Sequence, residues 1–536
     1  MVLPKFDYLW QYVEYWAEVD PDFPSLRFGN KTISAAEFNQ TVRHLAQTFI
    51  EHGVKKGDRI VTILPSCPEY VFTYLAANRI GAIVAPLDVR FREAEYRRFI
   101  GHVEPKIVIL KSAVPGNDIA RTIQALSMAF DPGIRYFIVG ENDLGTPFES
   151  LLARHFQTDQ ALAARQALLN PEDGALIIFT GGTTGVPKAA LLPHRHISSA
   201  SYLESEFIIK CLGEKGVSGR IKMTQNLPPS HVGGTIEILS TCIIGGWEQI
   251  LQEDWHPYTV LETIQTERLA LIGGVPTMYA ILLSLPDLDR FDLSSLQLAI
   301  TSGEKVSLEL LQGIRAKICG AIANGYGSTE TGPETTFTDP SDPIELLADG
   351  YVGKPLPGQE LKIVDENDHE LPAGKPGEIL TRGSCSFIEY YKMPDETKAM
   401  FTPDGWCRSG DLGYLTEDGG LYIQGRIKQI IRVGSYTVLP TEIEEVVIQH
   451  PKVALAAVIG MPDKILGEVV WLVVSPQAGQ TVSESELIEL CRSKLADFKV
   501  PKKVIVQASL PMTRIGKVDR LVVRKEVMVK SSRPPL

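Results

Sequence analysis

Between residue 34 and about residue 330, segments of helical periodicity alternate with segments that read as strands. That alternation narrows the fold more than any other feature of the chain. The stretch "SAAEFNQTVRHLAQTFIEHG" opens on a capping box, Ser34 with Glu37, and carries Phe38, Val42, Leu45, Phe49 and Ile50 at helical spacing before Gly53 stops it. "RIVTIL" (59–64) then reads as a strand, "EYVFTYLAANRIGA" as a buried helix and "AIVAPL" as a further strand. Helices placed between successive strands predict an open, mostly parallel α/β sheet. From about 350 to 425 the texture shifts to short strands and turns, with Asp418-Gly419 as a hairpin signal. After Arg426 it shifts again. Thr441 and Glu444 read as a second capping box, "VALAAVIGM" and "EVVWLVVSP" as strands, and "ESELIELCRSKLADF" as an amphipathic helix.

A chain of 536 residues exceeds the roughly 250–300 at which one core stops growing, so at least two domains are expected. The boundary falls near Lys428, giving a large unit over 1–427 and a small mobile one over 428–536. A net charge of -12 excludes a binder that holds nucleic acid through a general basic surface, so any anionic ligand must be met locally. Cys67, Cys211, Cys242, Cys319, Cys385, Cys407 and Cys491 are scattered without a CxxC pair and read as reduced structural thiols. The acidic, aromatic start "MVLPKFDYLWQYVEYW" lacks the features of a signal peptide, and no apolar run approaches the roughly 20 residues of a membrane helix. A cytoplasmic protein without a membrane span is expected.

Residues 179–196, "FTGGTTGVPKAALLPHRH", look like a phosphate cradle at an unusual spacing. A Walker A loop requires lysine followed by serine or threonine, whereas Lys188 lies between Pro187 and Ala189. What remains is a strand running into Thr180, Gly181, Gly182, Thr183, Thr184 and Gly185. Its glycines let backbone N–H groups turn toward an anion, and its hydroxyls and the ammonium add donors. His194 and His196, just beyond, read as capping the next helix or as solvated.

The string T-G-G-T-T-G-x-P-K resembles the phosphate loop of the adenylate-forming superfamily, which includes acyl-CoA synthetases, luciferases and peptide-synthetase adenylation domains. "NGYGSTETG", "GEILTRG", "DGWCRSGDLGY", "GRIKQIIRVGSYTVLPTEIE", "LADFKVPKKV" and "LPMTRIGKVDR" follow in the family's order across nearly the whole chain. The resemblance implies an α/β fold: a large N-terminal domain of stacked, mostly parallel sheets with a small β-barrel-like subdomain, then a small mobile α+β C-terminal domain. It also implies an AMP-forming acyl-CoA synthetase, which joins a carboxylic acid to AMP from ATP with Mg²⁺, releases pyrophosphate, and then passes the acyl group to CoA.

Residue by residue, the resemblance implies that Tyr326 offers an aromatic face to adenine, Thr329 a hydroxyl to the α-phosphate and Glu330 a carboxylate to Mg²⁺. It also implies that Asp411 accepts from the ribose hydroxyls with Arg426 beside it, and that Gly303, Glu304, Asn324, Gly325, Gly327 and Ser328 complete the nucleotide site. Lys517 is similar to the lysine that the small domain carries in to bridge carboxylate and α-phosphate, with Lys428 at the hinge. By the same resemblance His231, Val232, Gly233, Ser302, Gly303 and Gly327 line the acid pocket, and Gly434 and Ser435 the CoA channel. Ser435 departs from a usual second glycine, as Gly181 and Ala189 depart from a usual serine and glycine. Rival readings are transfer to a carrier-protein phosphopantetheine, luciferase-like oxidation of the adenylate, and a non-catalytic nucleotide-binding module. The sequence leaves open which acid is used and the oligomeric state, a homodimer included.

Overall fold

The computed structural model describes residues 2–127, 130–141, 143–153, 159–180, 187–434, 436–512 and 518–531, and in it the alternation produces an eight-stranded sheet. Its strands run in the order Glu389–Tyr390, Lys188–Pro193, Gly174–Thr180, Ile83–Pro86, Arg59–Ile63, Ile107–Lys111, Arg135–Val139 and Thr146–Pro147. From Gly174–Thr180 onward the strands are parallel, and the first two join antiparallel. The capping box at the start of helix Ala35–Glu51 forms: the Glu37 N–H donates to Ser34 Oγ at 3.2 Å, and the Ser34 N–H to Glu37 Oε2 at 3.0 Å. Helix Pro68–Arg79 is buried at every residue but Glu69, as a helix apolar on nearly all sides must be.

Two more sheets follow. One has the order Lys222–Gln225, Glu248–Leu251, Pro24–Phe28, Lys31–Ser34, and the other Leu271–Gly274, Leu298–Ser302, Ile322–Ser328, Gly332–Phe337, Lys354–Pro355. Helix His194–Glu214 lies between sheets. Its Ile197 and Ala200 join the core of the eight-stranded sheet, while Ile208 and Leu212 pack with Met223, Leu298 and Ile300. The β-rich part is a wholly antiparallel sheet of Gln359–Val364, Gly377–Gly383, Cys407–Leu415 and Leu421–Arg426, not closed into a barrel among the described residues. Asp418-Gly419 makes the turn between its last two strands, with Gly419 at φ +85°.

The C-terminal part centres on the long strands Val453–Asp463 and Gly467–Pro476, with helices Pro440–Ile448 and Glu484–Lys494 packed alongside. The expected capping box at Thr441 and Glu444 does not form. Pro440 takes the first helical position, so Thr441 lies inside the helix and its hydroxyl donates to the Gln424 carbonyl at 3.4 Å. The Glu444 carboxylate instead accepts from the Val458 N–H at 2.7 Å and from Arg520 Nε at 2.9 Å. His194 and His196 depart from expectation too: they are 2% and 0% exposed, and neither caps the helix that they open. Burial lowers them to about 4 and about 3 respectively, so both are neutral in the native protein. All seven cysteines are buried and unpaired. Among the described residues no helix is long and apolar enough to cross a membrane.

Candidate active site

Four strands meet where the nucleotide motifs converge. Ile322–Ser328 and Gly332–Phe337 form a tight antiparallel pair, closed by a turn in which the Ser328 and Thr331 hydroxyls bond each other at 2.9 Å. Gly327 is obligatory there, because a Cβ would stand 2.2 Å from the Gly332 carbonyl oxygen and 2.3 Å from that of Pro333. Beside this pair, Asp411 and Arg426 are register partners on neighbouring strands, and Arg426 Nε lies 2.7 Å from Asp411 Oδ1. Tyr326 donates its hydroxyl to Asp411 Oδ2 at 2.8 Å. Burial, followed by the charge of Asp411, pushes the Tyr326 phenol well above its usual range, which keeps it a donor. Both Asp411 oxygens are thus oriented by protein donors, and a carboxylate's two oxygens suit a pair of ribose hydroxyls.

Glu330, in the turn between the paired strands, is held from the opposite side. Its Oε1 accepts from Thr180 Oγ1 at 3.2 Å and from the Tyr390 hydroxyl at 2.8 Å, while Lys188 Nζ lies 4.4 Å from the centre of the Tyr390 ring. Thr180 and Lys188 are cross-strand partners, and after Lys188 the chain continues as a strand. A Walker loop would lead into a helix instead. Gly181, Gly182, Thr183, Thr184 and Gly185 lie outside the described residues, as do Ser435 and Lys517. Thr329 and Asn324 are buried near Glu330 and Tyr326 in sequence, with the Asn324 N–H donating to Thr338 Oγ1 at 2.8 Å.

The C-terminal part faces this site at the turn Gly303–Lys305. Lys305 Nζ pairs with Glu445 Oε1 at 2.7 Å, and Glu304 acts electrostatically on Arg520. Lys428 is exposed in the single turn Ile427–Gln429 that joins the two parts. Gly434, at φ +62°, stands on the wall of an open groove of about 350 Å³, where Tyr436 stacks on Phe498 at 4.3 Å.

The AMP-binding enzyme family model matches residues 13–391, and its C-terminal-domain model matches residues 442–517. This chain belongs to the AMP-binding enzyme family. It is 29% identical to a long-chain-fatty-acid–CoA ligase of Bacillus subtilis over 93% of this chain and 91% of that one. Among solved structures, ATP-bound MatB from Rhodopseudomonas palustris superposes with TM-score 0.84 at 27% identity, covering 97% and 99% of the two chains. The amide bond synthetase McbA from Marinactinospora thermotolerans does so with TM-score 0.82 at 26% identity and the same coverage. The membership read from the motifs is therefore borne out.

A cavity of about 40 Å³ lies beside the nucleotide residues of this AMP-binding enzyme. Of the six residues expected around the acid, Ser302 lines it. Gly233 abuts it, since a Cβ there would stand 3.4 Å from Glu237 Oε2. The His231 ring instead accepts the Gly233 N–H at 3.0 Å through Nδ1, and Val232 is buried in the core. Sequence reasoning missed Glu204, Thr224, Asn226 and Glu237, all of which line the cavity. A signal for two of them was present: each glutamate sits inside an apolar helical run, "YLESEFII" and "TIEILS", where a charge needs a reason.

Proposed function

We propose that this enzyme adenylates a carboxylic acid with ATP and then transfers the acyl group to CoA. The observation that carries the reading is the convergence of Asp411, Arg426 and Tyr326 on one side with Glu330, Thr180 and Lys188 on the other. These are the groups needed to hold a ribose and to meet a polyphosphate. In the first step a substrate carboxylate oxygen attacks the α-phosphorus, the bond to the bridging oxygen breaks, and pyrophosphate leaves. Both reactants are anionic, so catalysis lies in alignment and charge neutralisation. Thr180, Lys188 and the loop between them grip the leaving pyrophosphate. Thr329 orients the α-phosphate, and Lys517 arrives from the small domain to bridge it to the acid.

Among the described residues no three His, Cys, Asp or Glu side chains gather to hold a metal. Glu330 fits Mg²⁺ in the usual nucleotide manner, one carboxylate completed by substrate phosphates, and the ion would neutralise charge on those oxygens. Both hydrogen bonds to Glu330 fall on Oε1, which fixes the carboxylate in place.

In the second step the CoA thiolate attacks the acyl carbonyl carbon and AMP leaves. The small domain over 428–536 turns about Lys428 to withdraw Lys517 and present the Gly434 segment to the same pocket. The open groove beside Gly434 supports this assignment. Ser435, standing where a second glycine is usual, narrows the approach of a pantetheine arm, so an amine acceptor is one rival and a carrier thiol another. Purified protein with ATP, Mg²⁺ and a broad acid panel should release pyrophosphate only with acid, and form thioester on addition of CoA. Absence of acid-dependent pyrophosphate would refute adenylation. Product with an amine or carrier but none with CoA would refute the acceptor.

A further inference from the structure

We propose that the acid activated here carries a protonated primary amine at the end remote from its reacting carboxylate, received by Glu204, Glu237 and Asn226. The inference rests on the adenylation reading above and names its substrate class.

The cavity is placed to hold the far part of an acid. Ser302, on its wall, is the register partner of Gly325, and the next residue, Tyr326, reaches Asp411 of the nucleotide site. Its polar side chains come from three consecutive elements and the chain between them: Glu204 from helix His194–Glu214, Thr224 from strand Lys222–Gln225, Asn226 just after that strand and Glu237 from the π-helical turn Gly233–Ser240. A π turn shifts side chains out of α register and is frequent where a protein builds a site. No lysine, arginine or histidine lines the cavity among the described residues.

What lines it instead is a set of acceptors. Asn226 donates through Nδ2 to the Gly273 carbonyl at 2.6 Å; a carbonyl can only accept, which leaves Oδ1 as the other end of the amide. That oxygen has no partner although Asn226 is only 5% exposed. The Thr224 hydroxyl, 6% exposed, is likewise unpartnered. Glu204 Oε2 accepts from Thr241 Oγ1 at 2.9 Å. Behind them Glu334 is 3% exposed with Oε2 unpartnered, 2.0 Å from where a Cβ on Gly325 would stand. Burial, followed by the charges of the neighbouring glutamates, raises Glu204 and Glu334, and burial raises Glu237. Unpaired buried carboxyls and unsatisfied acceptors are costly, and a bound cation relieves both.

Size selects among cations. A cavity of about 40 Å³ holds a few water-sized groups, which suits the compact –NH₃⁺ better than a planar guanidinium or a trimethylammonium. An ammonium also brings three donors, which the Asn226 Oδ1, Thr224 and carboxyl oxygens of the walls can accept.

Two measurements decide it. In the first, ω-amino acids graded in length are compared, each against the alkyl and ω-hydroxy acids of equal length, by acid-dependent pyrophosphate release. At the fitting length the amine should lead in kcat/KM by at least about a hundredfold, and Glu237→Gln or Glu204→Gln should cut that ratio at least tenfold. Alkyl or hydroxy acids turned over as well as amines would overturn the proposal while leaving adenylation intact. In the second, n-butylammonium is titrated calorimetrically into the wild-type enzyme without ATP. Saturable binding that n-butanol does not reproduce is expected, weakened at least tenfold by Glu237→Gln; no binding overturns the proposal without reliance on any variant. Butylammonium binding alongside a panel silent for pyrophosphate would support the cation site and refute adenylation instead.

Discussion

The site around Asp411 and Glu330 and the cavity beside it, whose wall residue Ser302 pairs in register with Gly325, treat charge in opposite ways. Asp411 is answered by Arg426 and Tyr326, and Glu330 by Thr180 and Tyr390, so the carboxylates of the nucleotide site are oriented before any ligand arrives. In the cavity Asn226 Oδ1 and Thr224 Oγ1 lie buried with no partner, as does Glu334 Oε2 outside its lining. A site that serves every substrate of a family can be completed by the protein itself, since the nucleotide never varies. A site that selects one acid leaves some groups unsatisfied, because the energy of satisfying them is what distinguishes that acid from others.

The comparison can be broken most severely at Lys517. Lys517→Ala should lower pyrophosphate release by about 10²–10³-fold or more, the scale for removing a group that meets transition-state charge. Thioester formation from supplied acyl-adenylate should survive in the same variant; equal loss of both would contradict the domain alternation. Asp411→Ala should weaken nucleotide binding by about 1.5–3 kcal/mol, read as a ten- to hundredfold rise in KM for ATP, with little change in the preference among acids.

Gly325 joins the two regions, and a Cβ there would stand 2.0 Å from Glu334 Oε2. Gly325→Ala should cost about 1–3 kcal/mol in thermal or denaturant unfolding. Adding Glu334→Ala should recover part of that loss, since contacting residues do not add independently. Purely additive effects would show that the contact is not what glycine relieves.

The smallest effect expected is on pH dependence. The folded protein raises Glu334 above its unfolded value, so the native state binds more protons between the two. Its stabilising contribution is complete below the unfolded value and declines as pH rises toward the raised one. Glu334→Gln should therefore gain on the wild type by on the order of 1–2 kcal/mol as pH rises from mildly acidic to neutral. The difference between the two proteins is the quantity to follow. His194 and His196, lowered by burial, act in the opposite sense in both and cancel from it.

The grouping of Tyr326, Asp411 and Arg426, and of Thr180 with Glu330, was legible because these residues lie in short local strings whose spacing carries the geometry. Tyr326, Thr329 and Glu330 fall within one strand-turn, and Asp411 and Arg426 on strands joined by a turn that Asp418-Gly419 announces. The capping box at Ser34 was equally local and formed. Its counterpart at Thr441 did not, because Pro440 started the helix earlier and Arg520, far along the chain, claimed Glu444. His194 and His196 looked like helix caps or solvated side chains because nothing in their immediate neighbourhood showed that the helix they begin is buried between sheets.

Read alone, the chain carries the alternation of helix and strand, the order of the motifs and the family membership they mark. Periodicity and short-range spacing suffice for these. Only the tertiary structure decided which polar side chains lose water together. Glu204, Asn226, Glu237 and Glu334 lie in or beside different elements, and the charges inside the apolar runs of Glu204 and Glu237 do not say which partners they meet. The cost of a buried carboxyl depends on which charges, donors and apolar atoms surround it, and those neighbours are fixed by the packing of helix against sheet.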